Sequence, residues 1–446
     1  MGQRTRILTE ILGFNGWKVR EAYFEDAQRT RFEPVDGYGV LPETRLVLRV
    51  ERRWAPRCSQ CGTICRATAH ERLSVRRWQD LPWAGRPVVL EAELIRVKCK
   101  QCKASPVELL PWAEPHQRQT KRLQQQLALE AASMPVMHVA VLHGLDWHTV
   151  RRAEGAALAR WDATRPAVPL RHVGVDEKWL GRRHKLDYEF VTIVSNLETG
   201  EPLWVGPHRR EQTLRAWLDT LSSEQKGNIV LFAMDMHRPF LNAVRNDPQL
   251  KHAVVVHDPF HIMKRAGEAV TEVRKETFFR AGPEMRGIGR GTRWLVLRAW
   301  ERCTPAQQDE LRTLLSYNRT LARAYQIKEE LRETLHAPDR DSMEAGLRHL
   351  LRRIQLRRCK PLRKLHDSLV DHWEQIVALG DHHPATGRTE ALNNNWETLV
   401  RRARGYRDHE YLLLKLRFMA ANPVRTATGT ARFLALGMQA PLRAAA

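Results

Sequence analysis

Three acidic residues stand where a carboxylate does little for a core but could do chemistry. Asp176 closes a short apolar run, His172-Val173-Gly174-Val175-Asp176, and Asp235 closes another that starts at Asn228. Glu390 opens a helix-like segment, Thr389-Glu390-Ala391-Leu392. A carboxylate at the mouth of a buried strand is poorly placed for packing and well placed to hold a hard cation. Three that converge would make an anionic pocket for two divalent ions, Mg²⁺ or Mn²⁺. Two such ions about 4 Å apart are suited to in-line attack at a phosphodiester. A single Asp at a strand end is usually a cap or a solvated turn residue, so the argument rests on the order of all three along the chain. Glu177 is a rival for Asp176, but strand alternation sends it to the opposite face. Asp258 and His261, in His257-Asp258-Pro259-Phe260-His261, are auxiliary candidates at the pocket edge, and His237 is a further one nearby.

Net charge points to the substrate. The chain has 446 residues, with 73 Lys and Arg against 51 Asp and Glu, a formal charge of +22. Arg dominates and is spread over the whole length, and Arg grips phosphate in a bidentate fork. A polyanion partner, nucleic acid, is expected. No apolar stretch approaches the ~20 residues of a membrane span, and the N-terminus does not read as a secretory signal. A cytoplasmic location is expected.

Four of the seven cysteines form two Cys-x-x-Cys pairs, Cys58/Cys61 and Cys99/Cys102. Each turn points two thiolates at one ion, and two turns complete the tetrahedral shell of a structural Zn²⁺. Their separation exceeds that of a compact zinc ribbon, so the intervening residues must form a small sheet of their own. Cys65 is a weaker fifth ligand candidate, and Cys303 and Cys359 read as packing residues. DNA-end recognition is the role expected of this finger.

These groups need elements to position them. The length suggests two to four domains. Residues 1–50 form an N-terminal segment, 51–115 the zinc-binding module and 116–165 a helix-turn-helix. In the last, a helix bearing Leu123, Leu127 and Glu130 leads to a short one from Val136 to Leu142, which ends at Gly144. A third begins after Asp146, a plausible N-cap. That third helix carries His148, Arg151 and Arg152 as candidate DNA contacts, against the plain alternative of a solvated face. Residues 166–260 supply three consecutive strands, then helix, strand, helix and strand. This is a mixed sheet with its first three strands antiparallel, matching a ribonuclease-H-like core. In that topology Asp176 and Asp235 lie on adjacent strands. Residues 261–385 read as an all-helical insertion. The core's last helix, with Glu390, occupies 386–425, and 426–446 is a tail. Arg401, Arg402 and Arg404 would hold DNA beside Glu390. Arg352, Arg353, Arg357 and Arg358 form a second basic cluster that is equally readable as a surface stripe. The fold class is therefore multidomain α/β.

The phrases in this order resemble insertion-sequence transposases of the ISL-three family, a bacterial DDE group. The resemblance is carried by Cys58-x-x-Cys61, Arg77-Trp78-Gln79-Asp80-Leu81-Pro82, Gly85-Arg86-Pro87-Val88 and Cys99-x-x-Cys102. Further on it is carried by Val175-Asp176-Glu177, Ala233-Met234-Asp235-Met236, Val256-His257-Asp258-Pro259-Phe260-His261 and Thr389-Glu390-Ala391-Leu392-Asn393-Asn394. It covers most of the length and ends with Arg401-Arg402-Ala403-Arg404-Gly405-Tyr406. It implies a helical insertion before the last acid, a catalytic triad of Asp176, Asp235 and Glu390, and terminal inverted repeats of a mobile element as double-stranded DNA substrate. Asn196 stands where similar sequences often carry Asp, and Ala391 where many have Gly; neither is an expected metal ligand. The resemblance to a bacterial group also implies that the cytoplasm is that of a bacterial cell, with the chain nucleoid-associated when bound to DNA. Pairing two DNA ends calls for a homo-oligomer, at least a dimer. Two other readings stay open: a catalytically inactive, transposase-derived DNA-binding regulator, and a structure-selective nuclease on the same core. The presence of all three acids argues against the first. The zinc module and helix-turn-helix argue against the second.

Overall fold

A computed structural model describes residues 3–26, 44–66, 71–166, 169–179, 188–280, 282–355, 359–384, 387–403 and 406–437. The chain divides into two compact units, Met1–Ala167 with Asn395–Ala446, and Val168–Asn394.

The first unit opens with helix α1 (Gln3–Leu12) and a four-stranded sheet of β1 (Trp17–Asp26), β2 (Thr44–Arg52), β3 (Glu71–Trp83) and β4 (Arg86–Arg96). The strand order is β1-β2-β4-β3. β1/β2 and β3/β4 pair antiparallel, while β2/β4 is parallel, with Leu46 opposite Val88. The sheet between the cysteine pairs is thus present, but it draws strands from both sides of residue 50, where the sequence reading divided the chain. A long-range parallel pairing leaves no local signal at either strand. Trp17, Trp78 and Phe14 close around Trp112, whose ring lies 4.6 Å from that of Trp17.

The Arg77–Pro82 phrase now has a physical content. Trp78 is buried in that core, and Asp80 is buried as well. The hydroxyl of Thr120 donates to Asp80 Oδ1 at 2.7 Å, and the same threonine caps the next helix by accepting from the Leu123 N–H. Arg122 Nε donates to the same carboxylate at 2.7 Å. The hairpin is thereby tied to the first helix of the helix-turn-helix.

That motif comprises α2 (Lys121–Ala131), α3 (Val136–His143) and α4 (Trp147–Asp162). Gly144 ends α3 in the left-handed region at φ 59°, and the Asp146 side chain accepts from the Thr149 N–H at the start of α4. Leu123, Leu127, Val139, Ala140, Val150 and Ala153 form its core. Two C-terminal helices complete the unit, His409–Ala421 and Ala427–Ala435. The sequence pattern calls for a single last helix of the core within 386–425. Instead the helix Gly387–Ala403 ends, and Asp408 caps a new one by accepting from the Tyr411 N–H. The segment read as a tail includes Ala427–Ala435, whose Phe433 is buried against Phe418.

The second unit holds a five-stranded sheet of β5 (His172–Trp179), β6 (Phe190–Asn196), β7 (Glu201–Pro207), β8 (Leu231–Met234) and β9 (Val254–His257), in the order β7-β6-β5-β8-β9. β5, β6 and β7 are antiparallel, and β8 and β9 add parallel to β5. This is the mixed sheet the sequence pattern called for. Val173, Val175, Phe232 and Met234 pack on α5 (Glu211–Leu218) and α7 (Arg238–Arg245), with the short α6 (Ser223–Asn228) between those two in sequence. The opposite face, with Leu231, Ala233 and Val256, meets α8 (Pro259–Arg274). From α8 to His382 the elements among the described residues are all helices, joined by short connections, and they share that apolar cluster, including Leu321, Leu347, Leu365 and Ile376. Among the described residues no helix is long and apolar enough to cross a membrane.

Candidate active site and zinc module

The parallel pairing of β5 with β8 sets Val175 opposite Met234, which brings Asp176 and Asp235 side by side one residue further on. β8 ends there, whereas β5 continues to Trp179 against β6. Asp176 is therefore inside its strand rather than at its end, but its neighbour on one side has stopped. Side-chain alternation places Asp176 and Asp235 on the face of Ala233 and α8. Glu177 turns the other way and pairs with Arg209 at 2.8 Å.

Asp176 is 5% exposed. Its Oδ1 accepts from the Glu177 N–H at 2.7 Å. Lys178 Nζ lies 3.1 Å from Oδ2, at ion-pair distance, yet no hydrogen bond is directed at that buried oxygen. The Lys178 ammonium is thus the cation that complements this buried oxygen, and a metal ion bound there would take over that role. His261 sits between the acids, with Nδ1 3.3 Å from Asp235 Oδ2 and Nε2 3.9 Å from Asp176 Oδ1. Asp258 joins them in one small pocket with His261. It is also the N-cap of α8, accepting from the Phe260 N–H. Burial raises its pKa, and the charges of Asp176 and Asp235 push the same way.

Glu390 falls in the first turn of the helix Gly387–Ala403, and its side chain lies outside the described residues. His237 is turned away from the acids, its Nε2 2.8 Å from the Arg209 carbonyl oxygen. Asn196 has a structural task at the end of β6: its side-chain oxygen accepts from the Glu198 N–H at 2.8 Å, and its amide donates to the Pro169 carbonyl. Behind the acids, sequence reading missed a buried pair. His257 Nε2 is 2.9 Å from His372 Nδ1, and burial drives the His257 pKa down to about 3.

The four cysteine sulfurs of the zinc module all lie within 4.8 Å of one another, and among the described residues no other such ligand group of His, Cys, Asp or Glu is found. Cys58 and Cys102 sulfurs are 3.6 Å apart, and those of Cys61 and Cys99 3.5 Å. Zn–S bonds of about 2.3 Å in a tetrahedron require S···S edges of about 3.8 Å, so the donor set fits Zn²⁺. The Cys102 N–H aimed at its sulfur draws the Cys99 pKa down, while burial pushes that of Cys102 up. Cys65 is buried beside the quartet, with its sulfur 3.6 Å from the Thr63 carbonyl oxygen.

The candidate DNA contacts fall into different settings. His148 and Arg152 are exposed on the first turns of α4. Arg151 pairs with Asp408 at 2.5 Å and lies over the Tyr411 ring. Arg401 is exposed and paired with Glu397, and Arg402 donates to the Ala132 carbonyl at 2.8 Å. Arg404 lies outside the described residues, as do Arg357 and Arg358. Arg352 is exposed, while Arg353 pairs with Glu330.

A cysteine-quartet finger, a helix-turn-helix and a mixed sheet bearing paired acids make up the architecture of a DNA-processing enzyme. Residues 173–416 match the family model described as a transposase, residues 108–153 that of the helix-turn-helix domain of transposase family ISL3, and residues 54–102 that of the zinc-finger of transposase IS204/IS1001/IS1096/IS1165. The chain belongs to the ISL3 family of transposases. It is 30% identical over 417 residues to the transposase for insertion sequence element IS1001 of Bordetella parapertussis, covering 92% of this chain and 97% of that one. It is 26% identical over 440 residues to the transposase for insertion sequence element IS1557 of Mycobacterium tuberculosis, covering 92% and 94% respectively.

Proposed function

We propose that this transposase binds the terminal inverted repeats of an insertion sequence and cleaves and joins DNA strands at Asp176, Asp235 and Glu390, on a ribonuclease-H-like core. The observation that carries the reading is the pairing of β5 with β8, which sets Asp176 beside Asp235 where β8 ends. The strand order β7-β6-β5-β8-β9, with the first three strands antiparallel and the rest parallel, supports the core assignment.

Divalent cations, Mg²⁺ or Mn²⁺, supply the Lewis acidity that in-line displacement at phosphorus needs. Asp176 and Asp235 offer hard oxygen ligands of the right charge, and Glu390 is the third. His261 spans the two aspartates and fixes their spacing, and Asp258 holds His261 at the start of α8. In the first step a water oxygen bonds to the phosphorus at the element's end. The bond to the 3′-oxygen breaks, and that oxygen leaves with a proton as a 3′-hydroxyl. In the second step the oxygen of this hydroxyl bonds to a target phosphorus, the target's own P–O3′ bond breaks, and the proton passes to the displaced target 3′-oxygen. No Ser or Tyr nucleophile is required. The finger and α4 hold the ends, and a dimer or larger assembly pairs them.

The test combines cleavage with binding. Asp176→Ala and Glu390→Ala proteins should bind the element's ends like wild type and lose Mg²⁺- or Mn²⁺-dependent cleavage. Normal strand transfer by either variant would refute the assignment. Tight end binding without cleavage by wild type would identify a regulator, and sequence-independent cutting of branched DNA a nuclease.

A further inference from the structure

Along α8, His261 turns toward the acid pocket, while Phe260, Met263, Lys264 and Gly267 line a second feature, a groove of about 1110 Å³. The far wall carries Arg293, Trp294 and Lys364. Two large aromatics are left in solvent there, Trp294 at 69% and Phe260 at 64% exposure. Trp294 belongs to a short helix, Arg293–Leu297, whose Leu295 and Val296 are buried. Gly267 lets that helix settle onto α8, since a Cβ at this position would come within 2.9 Å of Leu297 Cδ2. The Trp294 ring is thus presented outward by packing on the other side of its helix, and the Arg293 guanidinium lies 5.2 Å from its centroid.

The charge is one-sided. Lys264, Arg293 and Lys364 are exposed and make no ion pair among the described residues. Two acids also line the groove, Glu268 and Glu272. Glu272 is taken up by Lys275 at 3.3 Å and Arg280 at 2.9 Å. Unpaired cations interleaved with exposed aromatic rings match a single nucleic-acid strand, with phosphates on the cations and bases on the rings. A duplex keeps its base faces stacked inside and would leave both rings unused. The groove's Phe260 and the acid pocket's His261 are neighbours in the first turn of α8, so the groove begins beside the acids.

We propose that this groove holds unpaired nucleotides of the DNA strand leaving the acid pocket, with a base stacked on Trp294 and phosphates on Lys264, Arg293 and Lys364. The link to cleavage rests on the reading of Asp176 and Asp235 above; binding of single-stranded DNA does not. The probe is a fluorescein-labelled twelve-nucleotide oligo(dT), measured by anisotropy with the full chain, beside Mg²⁺-dependent cleavage of duplex ends by the same preparations. Trp294→Ala should weaken oligo(dT) binding roughly 5- to 150-fold, the range for losing one base–aromatic stack. Trp294→Phe should retain most of the affinity, and duplex-end binding should change less than about twofold. The exposed pair Lys264→Glu with Lys364→Glu serves as a second variant, which should bind oligo(dT) more weakly and with a shallower salt dependence. Wild-type oligo(dT) affinity in both Trp294→Ala and the double variant would overturn the proposal, as would parallel losses on oligo(dT) and duplex. If wild type cuts no DNA but binds oligo(dT) through Trp294, the groove stands and the cleavage reading falls. If wild type cuts while Trp294→Ala binds and cuts identically, the reverse holds.

Discussion

Helix α4, which bears His148 and Arg152, is anchored to the C-terminal helix His409–Ala421 by one buried ion pair. Lys415 Nζ lies 2.5 Å from Glu154 Oε1, with the two side chains 6% and 2% exposed. The Tyr411 hydroxyl donates to the other Glu154 oxygen, and Nζ also reaches the Ala131 carbonyl at 3.4 Å. Lys415→Ala removes the cation and leaves the carboxylate buried with a single hydroxyl donor. Breaking such a pair from one side costs about 3–5 kcal/mol, because the remaining charge has lost its compensation. In a unit of this size each kcal/mol moves the melting temperature by about 2–4 °C, so a fall of about 6–20 °C is expected for the transition of the first unit. Replacing both partners with apolar residues, Glu154→Leu with Lys415→Met, should recover stability to within about 1 kcal/mol of wild type. Calorimetry of the full chain measures all three proteins, and binding to the element's ends should follow the stability of this unit. A Lys415→Ala protein that melts with wild type, or a double variant as unstable as the single one, would refute the argument that uncompensated charge is what matters here.

Zinc analysis of purified protein should give one ion per chain, and Cys61→Ser should release it and lower the melting temperature of the first unit. Ala84 sits at φ 48° and Gly85 at φ 73° in the β3–β4 turn. Ala84→Asn should stabilise the fold by about 0.5–1 kcal/mol, read from urea unfolding, because Asn tolerates the left-handed region better than Ala. His257 gives a pH dependence. Its folded pKa, about 3, is below the ordinary histidine value, so its contribution is complete above about pH 6.5 and is lost as pH falls toward 3. At pH 5 the loss should be about 2 kcal/mol. His257→Phe should flatten the stability profile between pH 6.5 and 4, and an unchanged profile would show that the His257–His372 pair titrates elsewhere.

Local chemistry made part of this molecule readable. The Cys-x-x-Cys turns, the Asp146 cap and the Gly144 stop each act within a few residues, and the structure has all of them. The adjacency of Asp176 and Asp235 was expected only through the ribonuclease-H-like topology matched to the order of elements, and β5 and β8 do pair. The long-range pairings of the first unit's sheet were not legible. β3 carries many charged residues and alternates weakly, because its Arg77, like Arg49 of β2, is answered by the buried Glu91 of β4. Arg151 reads as a free recognition residue until Asp408, distant in sequence, is found beside it. The end of β5 was misjudged at Asp176 because Lys178 and Trp179 look like loop residues, yet antiparallel pairing with β6 keeps them in the strand.

The central claim, that these acids cut and join DNA, is tested most directly with purified full-length protein, Mg²⁺ and duplexes carrying the gene's own flanking ends, wild type beside Asp235→Ala. The account predicts metal-dependent cleavage that exposes a 3′-hydroxyl, followed by joining to target DNA, with both steps lost in the variant while end binding persists. Cleavage and joining by Asp235→Ala at the wild-type rate would contradict it.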